Sequence, residues 1–433
     1  MIKNLMLLLA STFLIMALGE WLFPKFIGKL PLRLYGLIDK DLRVLAQSSK
    51  KNQLPKDYIA LTGDSYAVGA GDWLNEVRKS NFFGSPDYSA AHLSHKKTGI
   101  DVISFGRAGA GSFDGIWSEP VSQFLYINSI RDYKLSPPKH LLIFFYEGND
   151  IYDNIQFLRD NLLETKKEQA ERMEFKKIKD FLNAEFEKVL NRQFDNSIWK
   201  NMLFTRSILH GTSNLAEEWG LSNKQPKNKD LYNKVMPEGK GAFALIDGKK
   251  VQLNLAMMNG KKVGLPTHLQ GPPSFALNNE ERVAGSKDNL IGLSVNVFEQ
   301  SLVRLASFFP QVKIKIIYIP SPVSSYKMVS SHIHFRGFMQ DIDVMETIEI
   351  EKRHIKLCNT IKRVTRNHNF SFVNSTKSLK KATSTGFVHG PIDWDHFNKR
   401  GYQVLSDELV GLFPLKEGGI RIDNCVYGGA GTS

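Results

Sequence analysis

Five short apolar runs alternate with longer amphipathic segments along the chain. Each run is rich in β-branched or aromatic residues and ends in Gly, Pro or a small polar residue, as strands typically do. The runs are nearly continuous in apolar residues, which indicates strands buried on both faces of a parallel sheet. The predicted strands are YIALTG (58–63), IDVISFG (100–106), LLIFFYEG (141–148), KIKIIYIP (313–320) and FSFVNS (370–375).

Helices are predicted between these strands. Alternation of this kind favours an α/β fold in which helices cover both faces of a parallel sheet. In open sheets of this class, ligands bind at the carboxyl ends of the strands. The predicted helices cover residues 115–131, 290–309, 343–366 and 398–413.

The regular spacing breaks between the third and fourth predicted strands, where residues 151–310 form an insertion. Its first part, 155–195, is a charged amphipathic helix whose apolar residues repeat on one face. We expect that face to pack against the body of the protein, rather than to form a coiled coil. The stripe comprises Phe175, Ile178, Phe181, Leu182, Phe186, Val189 and Leu190.

The second part of the insertion carries two hairpin signals. The dipeptides Asp247-Gly248 and Asn259-Gly260 each separate alternating runs, and both are strongly preferred in two-residue hairpin turns. We interpret this part as a β-rich lid or substrate-binding element.

The chain opens with an apolar segment behind a single positive charge. Lys3 precedes an uninterrupted apolar or small run from Leu5 to Gly19, and extension to Phe23 approaches the roughly 20 residues that cross a bilayer. An export signal or a signal anchor has this pattern. We predict an uncleaved anchor, in preference to a signal peptide cut after Gly19 or a buried core helix. The body then lies outside the cytoplasm, in the periplasm or outside the cell.

These patterns divide the chain into segments. Residues 1–23 are the signal anchor or signal peptide, and 24–57 are a connector. Residues 58–150 and 311–415 are the two parts of one domain, separated by the insertion. A Gly-rich stretch, 416–433, is expected to be a flexible tail.

The net charge of the chain limits the classes of partner that the sequence predicts. The chain has 433 residues and a net charge of +13, from 57 Lys and Arg against 44 Asp and Glu. This excess favours an anionic polysaccharide or a membrane surface. No nucleic-acid partner is predicted, because the sequence shows neither zinc-ligand spacing nor a Gly-Lys-Ser/Thr phosphate loop.

The sequence contains two cysteines. Cys358 and Cys425 fit one disulfide as well as two free thiols.

Four polar motifs follow the ends of predicted strands. Ser65 follows the first strand, FGRAGAGS (105–112) the second, YEGND (146–150) the third, and DWDHFNKRGY (393–402) the fifth. The carboxyl ends of parallel strands meet at one edge, so residues far apart in sequence are expected to meet there. Taken alone, Gly-Asp-Ser is more often an ordinary turn.

The order of these motifs resembles the SGNH (GDSL-like) hydrolases, which are named for a Ser, Gly, Asn and His in four sequence blocks. The resemblance covers 58–150 and 313–413, and it implies a three-layer α/β/α fold with a central parallel five-stranded flavodoxin-like sheet. The matching residues are Ser65 of Gly63-Asp64-Ser65, Gly109, Asn149, and Asp393 and His396 of the Asp-x-x-His block. The sequence departs from the family at Glu147, where a glycine is usual.

The resemblance gives each matching residue a role in acyl transfer. Ser65 is the nucleophile, His396 the general base and Asp393 the residue that orients the base. The backbone N–H groups of Ser65 and Gly109, with the Asn149 side chain, form the oxyanion hole. Glycine is expected at position 109 because a side chain would obstruct close backbone approach. No metal and no cofactor is implied.

Other assignments compete with these roles. Asp395 is a rival for orienting the base and His389 a rival base, although neither fits the family spacing. His332 and His334 suggest a metal pair that lacks a third ligand. The asparagine and the aspartates can also be helix caps. The glycines of FGRAGAGS are spaced G-x-x-G-x-G, unlike the dinucleotide motif, and Ala67 rules out Gly-x-Ser-x-Gly around Ser65.

Three functions follow in order of preference. The first is an exported, metal-independent serine esterase that removes an acyl group, such as acetyl, from a carbohydrate or a lipid. The second is an O-acetyltransferase that passes the same acyl group to a cell-surface polysaccharide. The third is a non-catalytic polysaccharide-binding protein with a vestigial site.

Overall fold

A computed structural model of the chain describes most of its residues. The described residues are 2–30, 38, 40–72, 89–162, 175–192, 194, 198–218, 243–246, 248–273, 287–337, 342–413 and 420–426. Parts of the predicted connector, insertion and tail, including Asp247 of the first hairpin dipeptide, lie outside them.

The centre of the fold is a parallel sheet of five strands. Numbered along the chain from one to five, its strands are paired in the order 2-1-3-4-5, which is the flavodoxin-like order. All five predicted strands are confirmed, and most are slightly shorter than the apolar runs that predicted them. The strands are β1 (Tyr58–Thr62), β2 (Asp101–Ser104), β3 (His140–Tyr146), β8 (Lys313–Ile319) and β11 (Ser371–Asn374).

Helices cover both faces of this sheet, so the three-layer α/β/α architecture is confirmed. In β3, for example, Phe145 points into one layer while Phe144 and Tyr146 point into the other, as the period of two requires. One layer contains α2 (Arg43–Ala46), α5 (Glu119–Ser129), α6 (Asp150–Leu162), α7 (Phe175–Leu190), α9 (Lys287–Phe308) and α11 (Thr347–Asn367). The opposite layer contains α3 (Ser65–Val68), α4 (Ala90–Thr98), α10 (Pro322–Ser325), α12 (Thr376–Thr383) and α13 (Lys399–Val410).

Two helix predictions differ from the structure at their amino ends. The helix expected at 115–131 begins as a π-helical segment, Phe113–Ser118, that continues into α5. The helix expected at 343–366 begins later, because Ile342–Glu346 is a strand, β10, that pairs antiparallel with β9 (His332–Arg336). The alternation IDVME has the period of a strand, and the neighbouring β9 supplies the partner that it needs.

Over the predicted amphipathic segment 155–195, the described residues form the end of α6 and the helix α7, and both predicted hairpins are present. Helix α7 buries Ile178, Leu182 and Phe186 completely, so its apolar stripe faces the core as expected. Between α7 and the hairpins lies α8 (Leu203–Glu218), which follows a 3₁₀ turn, Ile198–Asn201. The hairpins are β4 (Phe243–Ile246) with β5 (Lys249–Gln252), and β6 (Leu255–Met258) with β7 (Lys261–Gly264).

The two hairpins differ in how they meet the body. The strands β4 and β5 are largely exposed. In contrast, β6 buries Ala256 and Met258 in the core, and the Met257 N–H donates a hydrogen bond to the Lys327 carbonyl at 2.9 Å. Asn259 and Gly260 both have positive φ, as the predicted turn requires. The hairpin of β6 and β7 is therefore built into the body.

Both edges of the sheet are covered by segments outside it. Along β2, Ser49 exchanges hydrogen bonds with Val102 through its carbonyl (2.9 Å) and its hydroxyl (2.6 Å). Along β11, the Phe372 N–H donates to the Arg421 carbonyl at 2.7 Å. A disulfide between Cys358 of α11 and Cys425 fastens the segment 420–426 in this position. Covered edges have few unpaired backbone groups to offer another chain.

The amino-terminal segment forms the long helix α1 (Ile2–Phe26), which continues as a 3₁₀ turn, Ile27–Lys29. Among the described residues, the stretch Ile2–Lys29 is the one helix long and apolar enough to cross a membrane, with a mean hydropathy of 1.9. Nothing in its most apolar window is buried against the body. The helix is therefore compatible with a signal anchor or membrane anchor.

Candidate active site

Ser65 begins the short helix α3 directly after β1. Only 5% of the residue is exposed. The preceding Asp64 caps the helix, because its carboxylate accepts a hydrogen bond from the Tyr66 N–H at 2.9 Å. The cap fixes the turn that places the Ser65 hydroxyl at the carboxyl edge of the sheet.

Gly63 allows the chain to turn at this point. Its φ is +132°, and a Cβ there would lie 2.8 Å from the Phe144 carbonyl oxygen. Its N–H donates to the Gly115 carbonyl at 3.0 Å, and its own carbonyl accepts from the Arg107 N–H at 3.1 Å. A side chain at position 63 would therefore push β1 away from β3 and displace the serine that follows.

A continuous hydrogen-bond chain joins Ser65, His396 and Asp393. The Ser65 Oγ lies 2.8 Å from the His396 Nε2, although the two residues are 331 positions apart in sequence. On the other side of the ring, the His396 Nδ1 lies 2.7 Å from an Asp393 carboxylate oxygen. The structure thus brings together three of the sequence-predicted site residues in the order that serine activation requires.

His396 and Asp393 each favour the charged form of the other. Burial alone would lower the pKa of His396, but the hydrogen bond and the charge of Asp393 outweigh it and raise that pKa above its ordinary value. Burial would likewise raise the pKa of Asp393, but His396 holds it below its ordinary value. The site therefore favours imidazolium beside carboxylate, which is the state formed when His396 accepts a proton.

Two residues of the first motif hold the loop that carries Asp393. The Asp72 carboxylate accepts hydrogen bonds from the Asp393 N–H at 2.5 Å and the Ile392 N–H at 3.3 Å. The Tyr66 hydroxyl donates to the Asp395 carbonyl at 2.7 Å. Sequence reasoning missed both supports. Their one signal is that they lie within the same motif, GDSYAVGAGD, as Ser65.

The carboxylate of Asp395, the alternative residue for orienting the base, binds Arg336. This carboxylate forms an ion pair with Arg336 of β9, while the Arg336 Nε–H donates to the His268 carbonyl at 2.7 Å. The pairing leaves Asp393 as the hydrogen-bond partner of the His396 Nδ1. The insertion thus reaches the site through the segment around His268.

The rival base His389 is not beside Ser65. It is completely buried against Tyr326, whose hydroxyl lies 3.4 Å from its Nδ1. Burial lowers the pKa of His389 to about 3, which leaves it a poor proton acceptor at neutral pH.

The histidine pair of β9 shows no metal geometry. The His334 Nδ1 lies 2.7 Å from the Thr267 carbonyl, and the His332 Nδ1 lies 3.1 Å from the Ser331 hydroxyl. Within the described ranges, no group of three or more His, Cys, Asp or Glu side chains is arranged to hold a metal ion.

Gly109 lies in the exposed loop after β2 with φ +68°, and a Cβ there would meet nothing within 4 Å. Glycine is favoured at this position because the backbone is left-handed, where other residues are strained. Its role as an oxyanion donor stays a prediction.

Asn149 lies in the turn after β3, at the same edge of the sheet as Ser65. Its backbone carbonyl accepts a hydrogen bond from the Asp153 N–H at 2.8 Å. Its side-chain Oδ1 is buried and has no hydrogen-bond partner among the described residues. The donor to an oxyanion would be the Nδ2–H₂ group of the same amide, and that role stays a prediction.

The departure at Glu147 has a structural explanation. The carboxylate is completely buried, and it lies 2.7 Å from the His354 Nδ1 and 3.1 Å from the Tyr318 hydroxyl. It also accepts a hydrogen bond from the Ser321 N–H at 2.7 Å. Burial alone would raise the pKa of Glu147, but His354 above all holds it below its ordinary value. The residue ties the third motif to β8 and α11.

Buried carboxyl groups lie behind Ser65. Burial raises the pKa of Asp64 to about 6, and burial together with the charges of Asp64 and Asp114 raises that of Asp153 to about 7. Asp64 also competes for the Ser65 hydroxyl, since one of its oxygens lies 3.2 Å from the Ser65 Oγ. The contact with the His396 Nε2, at 2.8 Å, is the shorter of the two.

Comparison with known proteins does not assign a function to the chain. No protein-family model matches the sequence, and no curated protein is significantly similar to it. Among solved structures, the chain is similar to an acetyl xylan esterase (Est2A) from the rumen bacterium Butyrivibrio proteoclasticus, with 12% sequence identity and a TM-score of 0.30. The similarity covers 83% of this chain and 63% of that chain. It is too small to assign a function, so the hydrogen-bond geometry must carry the assignment.

Proposed function

We propose that the protein is a serine esterase of the SGNH type, which removes an acyl group from an ester through an acyl-enzyme on Ser65. The observation that carries the proposal is the hydrogen-bond chain from the Ser65 Oγ through His396 to Asp393, with distances of 2.8 Å and 2.7 Å. The order of the four motifs and the flavodoxin-like strand order support the family assignment.

In the first half-reaction, the Ser65 Oγ attacks the ester carbonyl carbon while the His396 Nε2 takes the hydroxyl proton. The carbonyl oxygen becomes an oxyanion, for which the N–H groups of Ser65 and Gly109 and the Asn149 amide are the proposed donors. Collapse breaks the bond to the leaving alcohol, which receives the proton from His396. Water then attacks the acyl-enzyme by the same steps and releases the acid.

The proposed setting is outside the cytoplasm, with α1 as the anchor. The basic net charge of +13 suits an ester carried on an anionic polysaccharide or near an anionic surface. An acetyl ester on a carbohydrate is the substrate that we would offer first.

Covalent trapping tests the assignment directly. We expect a fluorophosphonate to add once to the full-length protein, on the peptide that contains Ser65, because the probe reacts with an activated serine. The adduct should persist in Ser384→Ala, which removes an exposed serine outside the site, and disappear in His396→Ala. Labelling of another serine would contradict the proposal. Hydrolysis of an acetylated glycan should release free acetate, whereas acetate that appears only on a second glycan would indicate the transferase.

The pH profile tests the role of Asp393. Replacing Asp393 with Asn should move the acid limb of kcat/KM to lower pH, because the charge that raises the pKa of His396 is removed. The rate constant kcat should fall by about 10³- to 10⁴-fold, because an amide no longer selects the productive tautomer. Initial rates on an aryl acetate across a pH series measure both effects. An unchanged acid limb would contradict the assignment.

A second pH series tests the Arg336–Asp395 pair. Arg336→Ala should move the acid limb to higher pH, since an unpaired Asp395 carboxylate further favours the charged form of His396. It should also lower kcat by about tenfold to a hundredfold, because the loop before His396 loses a support. Asp395→Asn should move the limb in the opposite direction, and the double variant should follow Asp395→Asn. Shifts of the same sign in both single variants would exclude this role.

A further inference from the structure

The helix α8 of the insertion is fixed to the candidate anchor α1. Glu20 of α1 accepts hydrogen bonds from the backbone N–H groups of Phe204 and Thr205, at 3.0 Å and 2.8 Å. These donors lie in the first turn of α8, where no intrahelical acceptor is available, so Glu20 caps that helix. The polar end of the apolar helix is thus satisfied by the body.

Side-chain packing reinforces the junction. The ring of Phe204 lies so close to Gly19 that a Cβ at that position would be 2.2 Å from it, and it also packs against Phe23 with ring centroids 5.7 Å apart. Together with the cap, these contacts set where α8 lies relative to α1.

Apolar side chains lie exposed beside this junction. On α8, Ile208 and Leu209 are 40% and 50% exposed, while Thr205, Ser207 and Gly211 face inward. On the 3₁₀ turn that leads into α8, Ile198 and Trp199 are 79% and 45% exposed. We call Ile198, Trp199, Ile208 and Leu209 the α8 apolar face.

The neighbouring α1 indicates what covers this face. Nothing in its most apolar stretch is buried against the body, so a bilayer that accommodates this stretch would reach the elements packed against the carboxyl end of α1. The region around the junction also has the composition of a membrane interface. The Lys25 ammonium lies 3.8 Å from the centre of the Trp21 ring, and Lys29 and Lys200 lie close in sequence to the two elements.

We propose that the α8 apolar face is a membrane-docking surface, which enters the interfacial region of an anionic phospholipid bilayer beside α1. The proposal rests on the anchoring of α1 and goes beyond the esterase assignment. Trp199 lies at headgroup depth, as interfacial tryptophans do, and Ile198, Ile208 and Leu209 contact the upper acyl chains.

Docking would also set the direction in which the site faces. A cavity of about 520 Å³ at the base of α1 is lined by Pro24 and Leu203, and by Leu54 and Tyr133 from the segments that precede β1 and β3. The base of α1 is therefore at the amino edge of the sheet, whereas Ser65 is at the carboxyl edge. With the α8 apolar face on the bilayer, the site is presented to the aqueous phase.

Quenching by brominated lipid tests the surface. The full-length chain is reconstituted in vesicles of phosphatidylcholine and phosphatidylglycerol, with and without bromine on the upper acyl chains. We expect the quenched fraction of tryptophan fluorescence to fall in Trp199→Phe. It should not fall in Trp394→Phe, because that tryptophan lies beside His396 at the far edge. A combined Ile208→Asp and Leu209→Asp variant should lose the Trp199 share of quenching while it stays bound to the vesicles through α1.

Three other outcomes would overturn the proposal, and each can be told apart from the others. Equal quenching in the wild type and Trp199→Phe, with the chain bound to vesicles, would leave the anchor intact and exclude docking. A chain that does not float with vesicles would exclude the anchor, and the docking surface with it. A cross-linked dimer that the two aspartates abolish, without quenching of Trp199, would assign the face to a second copy. Ester hydrolysis by the same samples reports on Ser65 independently.

Discussion

Replacing Ser65 with alanine is expected to lower kcat for ester hydrolysis by about 10⁴- to 10⁶-fold, which is the scale seen when a catalytic nucleophile is removed. The reason is chemical, because without the Oγ no acyl-enzyme forms and His396 has no hydroxyl to activate. The side chain is small, and its Oγ contacts His396 and Asp64. The fold should therefore survive the change. Initial rates on an aryl acetate measure the effect.

The matched control is Ser384→Ala, which removes an exposed hydroxyl at the end of α12 and should leave kcat unchanged. Urea denaturation of both variants should show midpoints close to that of the wild type. A Ser65→Ala protein that retains more than about a tenth of the wild-type kcat would contradict the role of Ser65, since loss of one oxyanion donor alone costs more than that.

Replacing Glu147 with alanine should destabilise the protein by about 3–5 kcal/mol, although Glu147 is not proposed to take part in the chemistry. The variant leaves the buried His354 and the Tyr318 hydroxyl without the carboxylate that now lies between them. It also opens a cavity at the end of β3. The free energy of unfolding from urea titration, followed by far-UV circular dichroism, measures the cost.

A double-mutant cycle separates the ion pair from packing. Glu147→Leu and His354→Leu should each be strongly destabilising, while the double variant should cost less than their sum, because no buried polar group is then left without this partner. Additive costs would show that the two side chains do not interact. The pKa of Glu147 is lowered in the folded protein, so its contribution is complete above its unfolded pKa of about 4.3 and is lost as the pH falls through the folded value.

The sheet could be predicted because each of its strands has a clear local pattern of apolar residues. Runs such as LLIFFY are apolar on both faces, and only a parallel sheet covered on both sides buries them so completely. The hairpin at Asn259-Gly260 was likewise visible, because its turn needs two residues with positive φ. The strand β10 was missed because IDVME adjoins a long helical pattern, and no local feature of the sequence pairs it with β9.

The site could be predicted only in part, for a related reason. Ser65, Asp393 and His396 lie in motifs with fixed local spacing, so sequence alone can name them. The support around them is made of contacts between distant segments. Glu147 and His354 are 207 positions apart, and no local pattern connects them.

The insertion shows the same limit. Arg336 and Asp395 are separated by 59 positions, and their meeting depends on how the segment around His268 folds back over the body. At Gly109 the left-handed backbone, with φ +68°, adds a reason for glycine that no local sequence pattern shows.

The disulfide has a consequence for the tendency of the chain to aggregate. The segment 420–426 pairs with Phe372 on the outer edge of β11, and Cys358–Cys425 is the covalent bond that keeps it there. Disulfides persist in oxidising compartments and are reduced in the cytosol. Without the disulfide, this cover would be held by its hydrogen bonds, by the Arg421–Glu408 ion pair and by the packing of Ile422. An uncovered strand edge is a template for aggregation. Formation of the disulfide therefore secures the cover over the outer edge of β11, where one copy of the sheet could otherwise add to another.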